Sequence, residues 1–307
     1  MKIGIVGMGW VGASVAISVL QSGFAEELLV SDVNRDLAEG EAMDLSHGAA
    51  FYPAARVRAV DVGELATADA VVIAAGRGGK PGESRLHLRE DNATIVREIA
   101  KQLSALRGFL VLVTNPVDVM TYVAQRASGL PPERVLGTGT MLDTARLRQV
   151  LGRELSLEPR SVHAQVVGEH GDSEVVLWSS AHVGGVSLRR WHGWAAEREQ
   201  RVASEVRLAA QEIIRRKGAT NHAIGLVTAA LLKWALRGER RVLTVSRVQD
   251  GACGLRDVAL SLPAVVGARG ATQVLEPEMD AAERAGLARS ADLLRQTQLE
   301  VEAATNA

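Results

Sequence analysis

Ile3-Gly4-Ile5-Val6-Gly7-Met8-Gly9-Trp10-Val11-Gly12 is the stretch that decides the fold. Four apolar residues suited to a buried strand run straight into G-x-G-x-x-G. Val15, Ile17, Val19 and Leu20 then follow among small residues, which predicts a buried helix ending near Gly23. A second strand, Leu28-Leu29-Val30, ends in Ser31-Asp32, and Asp32 stands 20 positions after Gly12. Strand, glycine turn, helix, strand and acid in that order form a dinucleotide fingerprint. Gly7 permits the tight turn, Gly9 lets a pyrophosphate approach the backbone, and Gly12 lets the helix pack on the strand. The helix N-terminus offers unpaired N–H groups to phosphate. Asp32 suits ribose hydroxyls and repels a 2′-phosphate, which favours NAD over NADP. The competing reading is a glycine-rich turn with a surface Asp.

The alternation continues. Ala70–Ala75, Phe109–Val113 and Arg134–Gly137 read as strands, and continuous apolar runs imply sheet covered on both faces. Helical spacing runs between them over Asp91–Leu106 and about Asp118–Ser128. The expected fold is α/β, a doubly wound parallel sheet over residues 1–140, followed by a mixed α+β domain over 141–307. In that second part Glu197–Lys217 is an amphipathic helix, and Arg241–Ser246 and Val258–Pro263 are strands with a turn at Asp250-Gly251. Asp280 and Glu283 resemble a capping box for a last helix.

Ligands of such sheets sit at the carboxyl ends of the strands. After the Ala70 strand, Gly76–Arg85 is glycine-rich and cationic, either a lid or a plain surface loop. After the Phe109 strand, Asn115 is placed to bond substrate or nicotinamide. Asp143 and Arg146, three apart on a helix, read as a surface ion pair worth little. Ser161–Val167 reads as a short strand, and the glycines of Gly168-Glu169-His170-Gly171-Asp172-Ser173 bracket a histidine, with Glu169 and Asp172 beside it. A histidine at a strand end is a candidate acid/base group, although a satisfied loop histidine is the commoner reading of an isolated G-x-H-G.

Composition narrows the partners. Thirty-five Lys and Arg against 36 Asp and Glu leave a net charge of -1, which gives no reason to expect nucleic acid or an anionic membrane. The single cysteine, Cys253, excludes an internal disulfide framework and reads as a small core residue. No apolar run reaches the ~20 residues that span a bilayer, and the start lacks a signal-peptide pattern. The cytoplasm is the expected location, and no metal is expected.

Taken together, these motifs resemble the L-lactate and malate dehydrogenase family over nearly the whole chain, most nearly the bacterial NAD-dependent L-lactate dehydrogenases. The resemblance rests on Gly7–Gly12 with Asp32, Pro81–Arg85, Thr114–Asp118, Leu142–Arg146 and Gly168–Ser173. It implies NAD contacts from Gly7, Met8, Gly9, Trp10, Val11, Gly12, Asp32, Gly76 and Asn115. It implies His170 as acid/base, Asp143 holding its other ring nitrogen, and Arg146 gripping the substrate carboxylate in a two-pronged bond that lysine cannot match. Arg85 would reach the substrate carbonyl when the lid closes, and Asn115 and Thr220 would border the substrate.

Within the family, the lid position six before the arginine faces the substrate side chain, with glutamine suiting pyruvate and arginine suiting oxaloacetate. Here it is Gly79, which is neither. Glu169, Glu83–Leu86 and Lys217–Thr220 resemble lactate dehydrogenases. Lactate therefore ranks first, a broader or bulkier 2-hydroxy acid second, and malate third. His163 and Arg148 resemble a fructose 1,6-bisphosphate pair between subunits, and read equally as an ordinary strand histidine and helix arginine. A homotetramer or homodimer is expected by the same resemblance. A non-catalytic NAD-binding protein is the alternative from another class.

Overall fold

A computed structural model describes residues 1–78 and 85–306 of the 307-residue chain. In the first half, strands and helices alternate as β1 (Lys2–Val6), α1 (Trp10–Ser22), β2 (Glu27–Ser31), α2 (Arg35–His47), β3 (Arg56–Ala59), β4 (Ala70–Ile73), α3 (Arg85–Gln102), β5 (Phe109–Leu112), α4 (Val117–Ser128) and β6 (Val135–Gly137). The six strands pair in parallel in the order β3-β2-β1-β4-β5-β6. The order reverses direction between β1 and β4, and such a crevice receives ligands at the strand carboxyl ends.

Period-two alternation on these strands feeds two separate cores. Ile3, Ile5, Leu28, Val30, Val72 and Val111 face α1, whereas Val6, Leu29, Val71, Ile73, Leu110 and Leu112 face α3 and α4. Helices therefore cover both faces, as the continuous apolar runs require. Gly23 ends α1 in the left-handed conformation at φ 66°, its N–H bonded to the Leu20 carbonyl.

The second half begins with α5 (Met141–Leu155), then short strands β7 (Val162–His163), β8 (Val166–Val167), β9 (Val175–Val176), β10 (His182–Val183) and β11 (Val186–Ser187). It continues through α6 (Ala196–Lys217), α7 (His222–Leu236), a long hairpin β12 (Arg241–Asp250) and β13 (Arg256–Gly267), β14 (Gly270–Val274) and α8 (Ala281–Asn306). β12 joins the parallel sheet antiparallel to β6, and β13 and β14 follow, each antiparallel to the strand before it, so among the described residues one sheet of nine strands crosses both halves. The Asp280–Glu283 capping box forms reciprocally: Glu283 N–H donates to Asp280 Oδ1 at 3.0 Å and Asp280 N–H to Glu283 Oε2 at 2.9 Å. Among the described residues no helix is long and apolar enough to cross a membrane.

Several boundaries differ from the sequence reading. Ser161–Val167 is not one strand, because β7 pairs with β10 while β8 pairs with β9 in another sheet. Between them the Ala164 carbonyl accepts from the Arg148 side chain, and the Gln165 carbonyl from Leu177 N–H. The helix expected over Asp91–Leu106 runs over Arg85–Gln102, and Leu103 and Leu106 close tight turns into the core. Arg134 belongs to a turn opened by Pro132 rather than to β6.

Candidate active site

The glycines of the first turn have different jobs. Gly7 has φ +94°, and a Cβ there would lie 2.4 Å from the Ala75 nitrogen. A Cβ on Gly12 would lie 1.8 Å from the Gly7 carbonyl oxygen, so this glycine lets α1 pack on the turn. A Cβ on Gly9 would meet nothing within 4 Å. Gly9 keeps open a space in front of the α1 N-terminus, which carries no side-chain cap. Asp32 accepts Met8 N–H at 2.7 Å and Asn34 N–H at 2.9 Å, one on each oxygen. A carboxylate accepts about four bonds, so both oxygens keep a lone pair for ribose hydroxyls. Met8 is buried beneath the turn, Trp10 is largely exposed, and a Cβ on Gly76 would crowd Thr114 at 2.7 Å. These residues fit a dinucleotide.

Helix α5 and strand β8 are tied by two threonines. Thr140 Oγ1 donates to the Val166 carbonyl at 2.6 Å, and Val166 N–H donates to Thr144 Oγ1 at 3.0 Å. This docking brings Asp143, in the first turn of α5, against the loop after β8. His170 Nδ1 lies 2.5 Å from Asp143 Oδ2, and Arg146 Nη1 donates to Asp143 Oδ1 at 2.8 Å. The Asp143 side chain is only 3 % exposed, so the pair with Arg146 is no surface ion pair. Burial disfavours an ionised Asp143, but the charges and hydrogen bonds of His170 and Arg146 hold its carboxyl below the usual range. Burial likewise opposes the imidazolium of His170. The charge and hydrogen bond of Asp143, with a further contribution from Asp118, outweigh it and push His170 up to about 8. An ionised Asp143 makes Nδ1 the donor and leaves Nε2 for a substrate.

The neighbouring acids play other parts than the sequence suggests. Glu169 does not reach the His170 ring. Its carboxylate accepts from Ser173 N–H at 3.1 Å and from Ser173 Oγ, bracing the loop. Asp172 is exposed. The sequence reading missed Asp118, whose Oδ2 accepts His170 N–H at 2.7 Å from within α4. A lone acid in the apolar run Val117-Asp118-Val119-Met120 was the available signal. Glu174 was missed as well, a buried carboxyl pushed up to about 8 by burial and by the charge of Asp143. So was Asn92, which accepts Arg77 N–H at 2.8 Å and donates to the Asn115 carbonyl at 3.1 Å, joining two strand-end loops.

A cavity of about 120 Å³ brings together His170, Arg146, Asn115, Thr220 and Val11, contributed by both halves of the chain. Thr138, Leu142, Ala210, Ile214 and Ile224, none assigned to the site from sequence, also line it. It is far smaller than the roughly 300–1,000 Å³ of drug-sized sites, so it suits a small acid. Gly79 and Lys80–Ser84 lie outside the described residues, as does the side chain of Arg85. Arg148 and His163 line a separate cavity of about 510 Å³, where the His163 ring stacks on His182 at 4.9 Å. Cys253 is a partly buried free thiol packed against one core.

The NAD-binding domain of the lactate/malate dehydrogenases matches residues 1–137, and the α/β C-terminal domain of the same family matches residues 140–305. An L-lactate dehydrogenase of Thermus aquaticus is 45% identical over 302 residues, covering 96% of this chain and 97% of the relative. One from Allorhizobium ampelinum is 44% identical over 308 residues, covering 98% and 99%. Among solved structures, the minor L-lactate dehydrogenase of Enterococcus mundtii in a ligand-bound form superposes with a TM-score of 0.94 at 39% identity, covering 97% of each chain.

Proposed function

Because the chain belongs to the lactate/malate dehydrogenase family, with NAD as its cofactor, we propose that it interconverts pyruvate and L-lactate. The observation that carries this reading is the Asp143–His170 contact at 2.5 Å opening, with Arg146, onto one small cavity. Bound NADH supplies the hydride, and the rest falls to this chain's own residues. Arg146 grips the substrate carboxylate through the nitrogens that Asp143 leaves unused. His170, held charged by Asp143, donates through Nε2 to the carbonyl oxygen and delivers its proton there as the alcohol forms. In lactate oxidation the same nitrogen takes the proton back. Asn115 and Thr220 border the substrate, and Arg85 supports the developing negative oxygen. Gly7, Met8, Gly9, Trp10, Val11, Gly12, Asp32 and Gly76 hold the dinucleotide, with Asn115 beside the nicotinamide.

The reading extends to organisation. Residues 1–140 bind the dinucleotide and 141–307 carry the acid/base and substrate groups. The chain assembles as a homotetramer or homodimer, which the exposed Met43 and Phe51 on and just beyond α2 support. Arg148 and His163 receive fructose 1,6-bisphosphate, and their shared cavity supports this. The protein acts in the cytoplasm. Initial rates with NADH and pyruvate, oxaloacetate, 2-oxoisocaproate or phenylpyruvate test the substrate. Pyruvate is expected to be fastest, and a strong preference for oxaloacetate overturns the reading. A fall in the KM for pyruvate on adding the sugar bisphosphate tests the effector site, and an unchanged KM removes it.

A further inference from the structure

We propose that Asp118 is a positioning residue for His170, fixing its backbone and adding a second negative charge behind the imidazolium. The proposal rests on the reading of His170 as proton donor. Asp118 lies in the first turn of α4 and is 2 % exposed. Its Oδ2 accepts His170 N–H at 2.7 Å, so two carboxylates from two helices hold one histidine. Asp143 takes the ring and Asp118 takes the main chain. Without an acceptor at 118, a glycine-flanked loop would be free to turn the ring away from Arg146.

The carboxyl is poorly compensated for a structural anchor. The Ser246 hydroxyl of β12 lies beside it, yet out of hydrogen-bonding geometry, so Asp118 Oδ1 and Ser246 Oγ are both buried without a partner among the described residues. The charged groups facing it are His170 and Glu169, both from the loop before β9, and they act in opposite directions. Burial pushes Asp118 up to about 6, against the lowering by Ser246 and His170. Its charge is therefore present near neutrality, where it favours protonated His170, and is lost in mild acid.

Asp118→Asn keeps an acceptor for His170 N–H while removing the charge. In pyruvate reduction, kcat/KM of the wild type declines as His170 deprotonates through about 8. The variant's decline is expected to begin about 0.5 pH lower. The two profiles should converge below about pH 6, where Asp118 of the wild type is itself neutral. Asp118→Ala, which also removes the acceptor, is expected to lower kcat at every pH. An unchanged alkaline limb in Asp118→Asn, or a uniform loss at all pH values, overturns the proposal. A readout that needs neither turnover nor a variant separates this from failure of the substrate reading. In the wild-type apoprotein, the His170 ring and amide resonances should titrate in two steps, near 6 and near 8, and a single step at 8 overturns the inference.

Discussion

Asp143 meets two cations with two oxygens, one bonded to His170 and the other to Arg146. Replacing it with Asn retains the shape but not the charge, and an amide presents a donor to one of two groups that are themselves donors. Asp143→Asn is expected to lower kcat for pyruvate reduction by on the order of 10³–10⁴, the scale seen when a buried acid orienting a catalytic histidine is amidated. The residual activity should shift to lower pH, since the carboxylate charge sets the raised His170 value. Steady-state rates from pH 5 to 9 decide this, and an alkaline limb still near 8 would contradict it. Arg146→Lys keeps the charge and loses the planar fork. Its kcat/KM should fall roughly 10- to 100-fold, the cost of one or two charge-assisted hydrogen bonds, with NADH affinity unchanged. Equal losses in NADH binding would place Arg146 in a structural role instead.

At the scale of the element, the first turn makes a separable prediction. Gly9→Ala adds a methyl to open space, so the thermal midpoint should stay within about 2 °C of wild type. NADH affinity should still drop about tenfold or more, because the methyl stands where the backbone must meet the pyrophosphate. Gly12→Ala drives a methyl into the Gly7 carbonyl and should lower the midpoint as well as the affinity. Fluorescence titration with NADH beside thermal melts tests both, and a Gly9→Ala protein that binds normally refutes the assignment of this space. The same turn shows why part of the fold was legible in sequence. Its glycines, its acid and the apolar runs of β1, β2, β4 and β5 act through local geometry and burial on both faces. Helix α2 left little trace because it buries only Ala38 and Ala42. Helix α7 is apolar on most sides, packed against α1 and α5, so it lacks a polar stripe to mark its period. His170, Asp143 and Arg146 were readable as motifs, and Asp118 and Glu174 were not. Their significance arises from burial against groups 52 and 31 residues away, and the lone acid in the apolar run around Asp118 marks burial without naming its partner.

Several ionisable groups with shifted pKa values gather about His170, and this gives the stability of the molecule a particular pH dependence. A histidine raised from 6.5 to about 8 stabilises the fold fully below about 6.5, and that contribution is lost as pH rises through 8. Glu174, raised from 4.5 to about 8, resists ionisation in the fold but not in the unfolded chain, so its cost grows from about pH 4.5 and is complete above about 8. Asp118, raised from 3.8 to about 6, adds a cost completed near neutrality. Only Asp143, held low, favours the fold, a contribution fully present above the ordinary carboxylate range and lost as pH falls below it. Between pH 6 and pH 9 His170 and Glu174 both act against stability, while Asp118 and Asp143 have largely finished titrating, so the fold is expected to be firmer at pH 6 than at pH 9. Glu174 is 5 % exposed, and its Oε1 has no hydrogen-bond partner among the described residues. Glu174→Gln removes its titration without removing its bulk, and should flatten the decline whatever it does to absolute stability. Urea midpoints at pH 6 and pH 9, at fixed protein concentration so that assembly contributes equally, read the slope directly. A variant that declines as steeply as wild type would assign the alkaline loss to His170 alone.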